Sequence, residues 1–193
     1  MNRIIEQSPQ QDNQQVYNKQ VVFHIENYDL LKMLFLQFDI TPAAPSSFAV
    51  PTSPYIIENV ILESDGVPIA RVNTNYTLSR MDRSKSEIKQ QITNSCTLKT
   101  PFSSTQTISL PLFFWIIDGQ LCDLSRYKNL AVRVYTKGSK EAMGFSQEIT
   151  GLDVRLRMVM NQRGLFGYDS KQTTESLDFT RAYNMYQSVD YQL

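Results

Sequence analysis

A chain of 193 residues, 41% hydrophobic and 11% aromatic, can bury a sizeable core and is expected to fold as one domain without covalent staples. Its 19 basic and 19 acidic residues cancel and the pI is near 6.6, so no overall field draws it to nucleic acid or an anionic membrane, and sequence-specific nucleic-acid binding is not expected. Cys96 and Cys122 form no CxxC pair and the N-terminus has no apolar leader core, which predicts buried free thiols and synthesis in the cytoplasm of the producing cell.

Residues 1–20 are rich in Gln and Asn and poor in apolar side chains, which predicts a flexible N-terminal arm over 1–19 whose deletion to Val16 leaves a folded monomer. Arg3 and Lys19 are its only basic residues, too few to neutralise a run of phosphates. From Gln20 the pattern alternates, with Val21, Phe23 and Ile25 on one face and Val22, His24 and Glu26 on the other, as in a strand. Asn27-Tyr28-Asp29 turns the chain, and residues 30–40 (LLKMLFLQFDI) predict a strand largely buried on both faces, ended by Thr41-Pro42.

Residues 41–54 hold four of the eight prolines and predict a stiff surface loop, with two PxxP matches at Pro42 and Pro51. Residues 55–63 form the next strand, and Asp65-Gly66 the turn of a hairpin that returns over 67–72. The polar stretch 73–94 changes period. Ser84-Lys85-Ser86-Glu87 fits a capping box, with Ile88 and Ile92 on one face of a short helix.

The fold is anchored on residues 107–136. Ile108–Ile117 is the most apolar run of the chain, too short for the ~20 residues a membrane span needs, and reads as a buried strand. Pro111 lacks an N–H, so this strand is expected to bulge or to lie at an edge there. After Asp118-Gly119 the chain resumes as a half-buried strand with Leu130, Val132 and Val134 against Arg133. Residues 137–140 turn and 145–149 suggest a short strand. Residues 151–160 alternate, Leu152, Val154, Leu156, Met158 and Met160 inward against Asp153, Arg155 and Arg157, whose arginines face solvent or a neighbouring subunit.

The tail, residues 161–193, is polar yet carries Phe166, Tyr168, Phe179, Tyr183, Tyr186 and Tyr191. Large side chains with a polar tip suit protein interfaces, so these six and Tyr17 are the candidate subunit-interface residues. The alternative is a tail folded back on its own sandwich, with a last strand near 177–183.

About eight strands and one short helix predict an all-β fold: an antiparallel eight-stranded jelly-roll sandwich over residues 20–160 with extended terminal arms, a β-barrel being the runner-up. Catalytic chemistry is nearly absent. The single histidine, His24, sits within an alternating strand and cannot furnish a cupin-like metal site, and there is no GxSxG, P-loop, GxGxxG or HExxH. Neither enzymatic activity nor a cofactor or metal is expected. The only tryptophan, Trp115, lies in the most apolar run, which weakens a sugar-stacking role.

The succession of segments resembles the first jelly roll of the double jelly-roll major capsid proteins of icosahedral DNA viruses. Asp29-Leu30-Leu31 running into Leu34–Pro42 is similar to that family's early strand. Ile57–Arg71, with Val60, Glu63, Asp65-Gly66 and Ile69-Ala70-Arg71, is similar to its I-x-x-V-x-x-E-x-G-G-x-x-I-D hairpin. Leu110-Pro111-Leu112-Phe113-Phe114-Trp115 and Gly119–Leu124 match its Pro-Leu-x-Phe-Trp-Phe strand and continuation, and Leu130–Tyr135 the strand after it. Asp123 stands where the family has proline and Val67 where it has a second glycine, and the length suits one jelly roll. The resemblance implies a capsid subunit, major or vertex, that self-assembles in the virion of a membrane-containing DNA virus of bacteria or archaea, such as a bacteriophage. It also implies partners: copies of itself in a capsomer, neighbouring capsid proteins, and an inner viral membrane. The rival reading is a lectin-like or receptor-binding jelly roll, such as a virion spike, using the loop over 41–54.

Overall fold

The computed structural model describes residues 2–25, 30–45, 52–83, 86–114, 122–124 and 127–161. The strands among them are β1 (Asn2–Gln7), β2 (Gln11–Asp12), β3 (Gln20–His24), β4 (Leu30–Pro42), β5 (Ile57–Ser64), β6 (Val67–Val72), β7 (Gln106–Leu112), β8 (Cys122–Asp123), β9 (Ala131–Thr136) and β10 (Ile149–Asn161). The helices are α1 (Ser53–Ile56), α2 (Thr74–Asp82) and α3 (Ser86–Cys96). One sheet runs β1-β10-β4-β7, with β8 on β4, and the other runs β2-β3-β9-β5-β6.

Setting aside the two-residue β2 and β8, eight strands remain, and all their pairings are antiparallel. In chain order the first pairs with the eighth, the second with the seventh, the third with the sixth and the fourth with the fifth. The chain is therefore one long hairpin closed at Asp65-Gly66. It is rolled so that β4 also meets β10 and β5 also meets β9. This wiring is the jelly roll, and it confirms the expected fold.

The core lies between the sheets. Leu34, Leu36, Phe38 and Ile40 of β4, Leu152–Met160 of β10 at alternate positions, and Val21, Phe23, Val132, Val134, Val60 and Leu62 opposite them are all buried. At the closing turn Asp65 has φ 50° and Gly66 φ 77°, the double left-handed geometry that a two-residue hairpin requires. A Cβ at Gly66 would meet nothing within 4 Å, so a Gly66→Ala change should cost only its backbone conformation, about 1–2 kcal/mol in a urea melt. A neutral result would mean that the turn relaxes.

The edge position of Pro111 is borne out, since β7 ends its sheet. The Ser109 carbonyl turns away from β4 and accepts from the Ser53 hydroxyl and the Cys96 thiol, both at 3.1 Å. Strand alternation aims the Pro111 nitrogen the same way, so the ladder loses no donor. α1 and α3 thus cover this edge.

Four expectations are corrected. Residues 2–12 are not a free arm: β1 pairs with β10 over six positions, β2 pairs with β3, and Ile5, Val16 and Tyr17 pack against the core. The sandwich therefore begins at β1 rather than at residue 20. Three helices occur among the described residues instead of one; α2 is opened by Asn73, whose side chain accepts from the Tyr76 N–H at 2.9 Å. The Pro-rich loop ends inward, because Thr52 and Ser53 are buried and Ser53 opens α1. Residues 145–148 are not a strand, since a turn over 140–144 leads into β10 at Ile149. Trp115, residues 46–51, Ser84 and Lys85 of the capping box, and the side chain of Ile88 lie outside the described residues.

Candidate interface surfaces

Of the seven candidate interface residues, Tyr17 alone lies among the described residues; Phe166, Tyr168, Phe179, Tyr183, Tyr186 and Tyr191 are outside them. Tyr17 is half-buried where the segment leading to β3 meets the start of β10. Its hydroxyl donates to Glu148 Oε2 at 2.8 Å and accepts from the Ile149 N–H at 3.4 Å. Lys140 Nζ sits 2.8 Å from Glu148 Oε1. Next to it Gly138 packs so close to Asn18 that a Cβ would stand 2.8 Å from Asn18 Oδ1.

Burial and the carboxylate beside it push the Tyr17 phenol up, while the bonds from Lys140 and Tyr17 hold the Glu148 carboxyl below its ordinary range. A depressed carboxyl stabilises the fold above its unfolded pKa and ceases to do so as pH falls through its folded value. Acidification through and below the usual glutamate range should therefore release the Tyr17 clamp, seen as a lower protection of the Ile149 amide relative to its intrinsic exchange rate at the same pH. Glu148→Gln should show that lower protection already at neutral pH. The pair is exposed, so the effect is small and weakens with salt. An Ile149 amide indifferent to both changes would separate Glu148 from the clamp.

The solvent face of the second sheet is polar and braced. Arg133 on β9 donates Nε and Nη2 to the two carboxylate oxygens of Glu63 on β5, both at 3.1 Å, which holds its guanidinium more firmly charged than usual. On β6 Arg71 donates to Asn59 at 2.6 Å. Lys19, although buried, sits 3.0 Å from Asp12, and its N–H donates to Thr136 Oγ1 at 2.8 Å, which fastens β2 and β3 to β9. On the first sheet Arg155 of β10 bonds Asp39 of β4, which also accepts from the Thr107 hydroxyl of β7, and Arg157 lies 3.7 Å from Glu6 of β1. The expectation for Arg155 and Arg157 is thus refined: both sit on the outer face but are tied to their own sheet. Sequence spacing could not reveal these pairs, because strand register joins residues as far apart as Asp39 and Arg155.

His24 is exposed, and no group of three or more His, Cys, Asp or Glu side chains that could hold a metal ion occurs among the described residues. No helix among them is long and apolar enough to cross a membrane. What the surface offers is two braced sheet faces, the open edge strands β1 and β6, and a corner clamped at Tyr17.

No protein-family model matches the chain, and no curated protein does. Solved structures match the fold. The chain superposes on VP54 of PBCV-1, fitted into a reconstruction of the virophage Sputnik, with a TM-score of 0.60 at 16% identity, covering 83% of this chain and 42% of that one. It superposes on a quasi-atomic model of the PBCV-1 virus capsid with a TM-score of 0.59 at 13% identity and the same coverage. The major capsid protein P2 of bacteriophage PM2 superposes more loosely, with a TM-score of 0.40 at 10% identity, covering 85% of this chain and 52% of that one. The chain spans about two fifths of the PBCV-1 protein, which corresponds to one jelly roll of a double jelly-roll capsid protein. At these identities the likeness is one of fold, and that fold is the jelly roll of viral capsid proteins.

Proposed function

We propose that this protein is a structural virion component without catalytic activity: a capsid subunit that self-assembles into an icosahedral shell. The observation that carries the proposal is the nested order of the two sheets, superposing with a TM-score of 0.60 on a capsid protein. The virus is a membrane-containing DNA virus of bacteria or archaea, and the subunit is its major or vertex capsid protein, made in the host cytoplasm and resident in the virion. Its partners are further copies of itself in a capsomer, neighbouring capsid proteins and an inner membrane. A net charge of zero lets many copies approach without mutual repulsion, and a shell that lies outside a membrane needs no genome-binding stripe.

The proposed contacts with neighbours are made by the Tyr17 corner and by the outer aromatic residues of the tail, Phe179, Tyr183, Tyr186 and Tyr191. Large side chains with a polar tip give such contacts area at low entropic cost. The test is the mass of the purified protein across concentration and salt, by light scattering after size exclusion, with negative-stain microscopy of the same fractions. Trimers, pentamers, hexamers or closed shells are expected. A strict monomer at every concentration, unaltered by any co-purifying capsid protein, would overturn the proposal.

A further inference from the structure

The solvent side of the first sheet changes character along its strands. At one end Asp153 lies beside Asp39 and Thr107, and Arg155 beside Gln37 and Ser109, all polar and partly bonded to one another. Next come Glu6, Arg157, Phe35 and Pro111, and at the far end Ile4, Val159 and Met33 face one another across β1, β10 and β4. Ile4 is 55% exposed, and Val159, Met33 and Phe35 are half-buried. Outward positions of a half-solvated sheet are normally polar, so this apolar band calls for a cover. Of the bordering charges Arg155 and Arg157 are paired within the sheet, and Lys32, beside Met33, is exposed on a stem long enough to keep its ammonium in water over a covered band.

The chain itself leaves the sheet at this end. Val159 lies in the middle of the band, β10 ends at Asn161, and residues 162–193 follow. Three adjacent strands span about 10 Å, and extended chain advances ~3.3 Å per residue. Leu165, Phe166 and Tyr168, four to seven residues beyond Asn161, can therefore reach any point of the band. The geometry points to docking of residues 162–193 of the same chain on this band, with Leu165, Phe166 and Tyr168 over Ile4, Val159, Met33 and Phe35.

A tether of this length holds the segment at an effective concentration near the millimolar range, which favours a chain's own segment over a neighbour's. Phe179, Tyr183, Tyr186 and Tyr191 remain free to reach a neighbouring subunit. That last clause rests on the capsid role; the docking does not.

The test uses the full chain carrying Ile4→Cys with Phe166→Cys, the native thiols being buried. Mild oxidation should give an intrachain disulfide, read as a compact monomer on a non-reducing gel. The control pair Val67→Cys with Phe166→Cys starts from an equally exposed residue on the other sheet and should react at least tenfold more slowly. Equal rates for the two pairs would overturn the docking, and disulfide-linked dimers would give the band to a second copy. In a separate full-length variant, Phe166→Ser with Tyr168→Ser should raise the binding of an apolar dye while the far-UV circular dichroism is retained; unchanged dye binding by that folded variant would also overturn it. Light scattering reads assembly independently, so loss of the cross-link and loss of the capsid role remain distinguishable.

Discussion

Replacing Phe38 by alanine should cost about 3–5 kcal/mol of folding stability, among the largest losses expected from a single side chain here. Phe38 is fully buried in β4, between Val154 of β10 and Ile108 of β7, and points at the opposite sheet. Its ring cannot be replaced without a cavity, because neighbours held in two hydrogen-bonded sheets collapse only partly. Against a total stability of about 5–15 kcal/mol, such a loss leaves the domain marginal at 37 °C. Phe35 lies three residues away on the outer face and is half-buried, so Phe35→Ala should cost about 1 kcal/mol. Urea denaturation of both variants checks the assignment: equal losses would mean that the inward and outward faces of β4 are wrongly drawn.

Deleting residues 2–7 should remove a structural strand rather than a dispensable extension. β1 contributes a ladder of six pairs to β10 and packs Ile5 against the core. Its backbone bonds are largely offset by the entropy of ordering the segment, so the direct loss is about 2–4 kcal/mol. The indirect effect is larger. β10, thirteen residues long and rich in Val, Leu and Met, would become an open edge, a template for pairing with other chains. The expected outcome is a lowered unfolding midpoint with concentration-dependent aggregation. A well-folded soluble monomer with an unchanged midpoint would restore the picture of a free arm.

The strands legible in the sequence are those whose alternation matches a face the fold buries. β3, β9 and β10 show this directly, and the Asp65-Gly66 turn fixes the β5–β6 hairpin from local chemistry alone. β1 escaped notice because Asn-Arg-Ile-Ile-Glu-Gln holds two apolar residues, and one of them, Ile4, faces outward; its place is set by the edge of β10, which no local pattern announces. α2 was hidden because its buried positions are Thr74, Thr77 and Met81, and threonines do not read as an apolar stripe. Pro111 gave away its edge position because a missing donor is a local fact with a global consequence. The surface was the least legible part. Of the aromatic residues read as an interface only Tyr17 can be placed, and the bonds that brace the outer faces join residues brought together by register alone.

The nested pairing also orders the assembly of the chain in time. β5 meets β6 across a two-residue turn, whereas Gln106 must find Ile40, Tyr135 must find Gln20, and Asn161 must find Asn2. Each successive pairing closes a longer loop unless the one inside it is already formed. Once it is, each doubling of loop length adds only about 0.6 kcal/mol of closure entropy. The fold should therefore zip outward from Asp65-Gly66, slowly, on the millisecond-to-second scale of proteins dominated by contacts distant in sequence. Unzipping runs in reverse, and amide exchange should rank β1 the fastest of the eight long strands and the paired amides of the β5–β6 hairpin the slowest. The last strand to arrive is thus the first that can leave, and it does so without disturbing the layers beneath it.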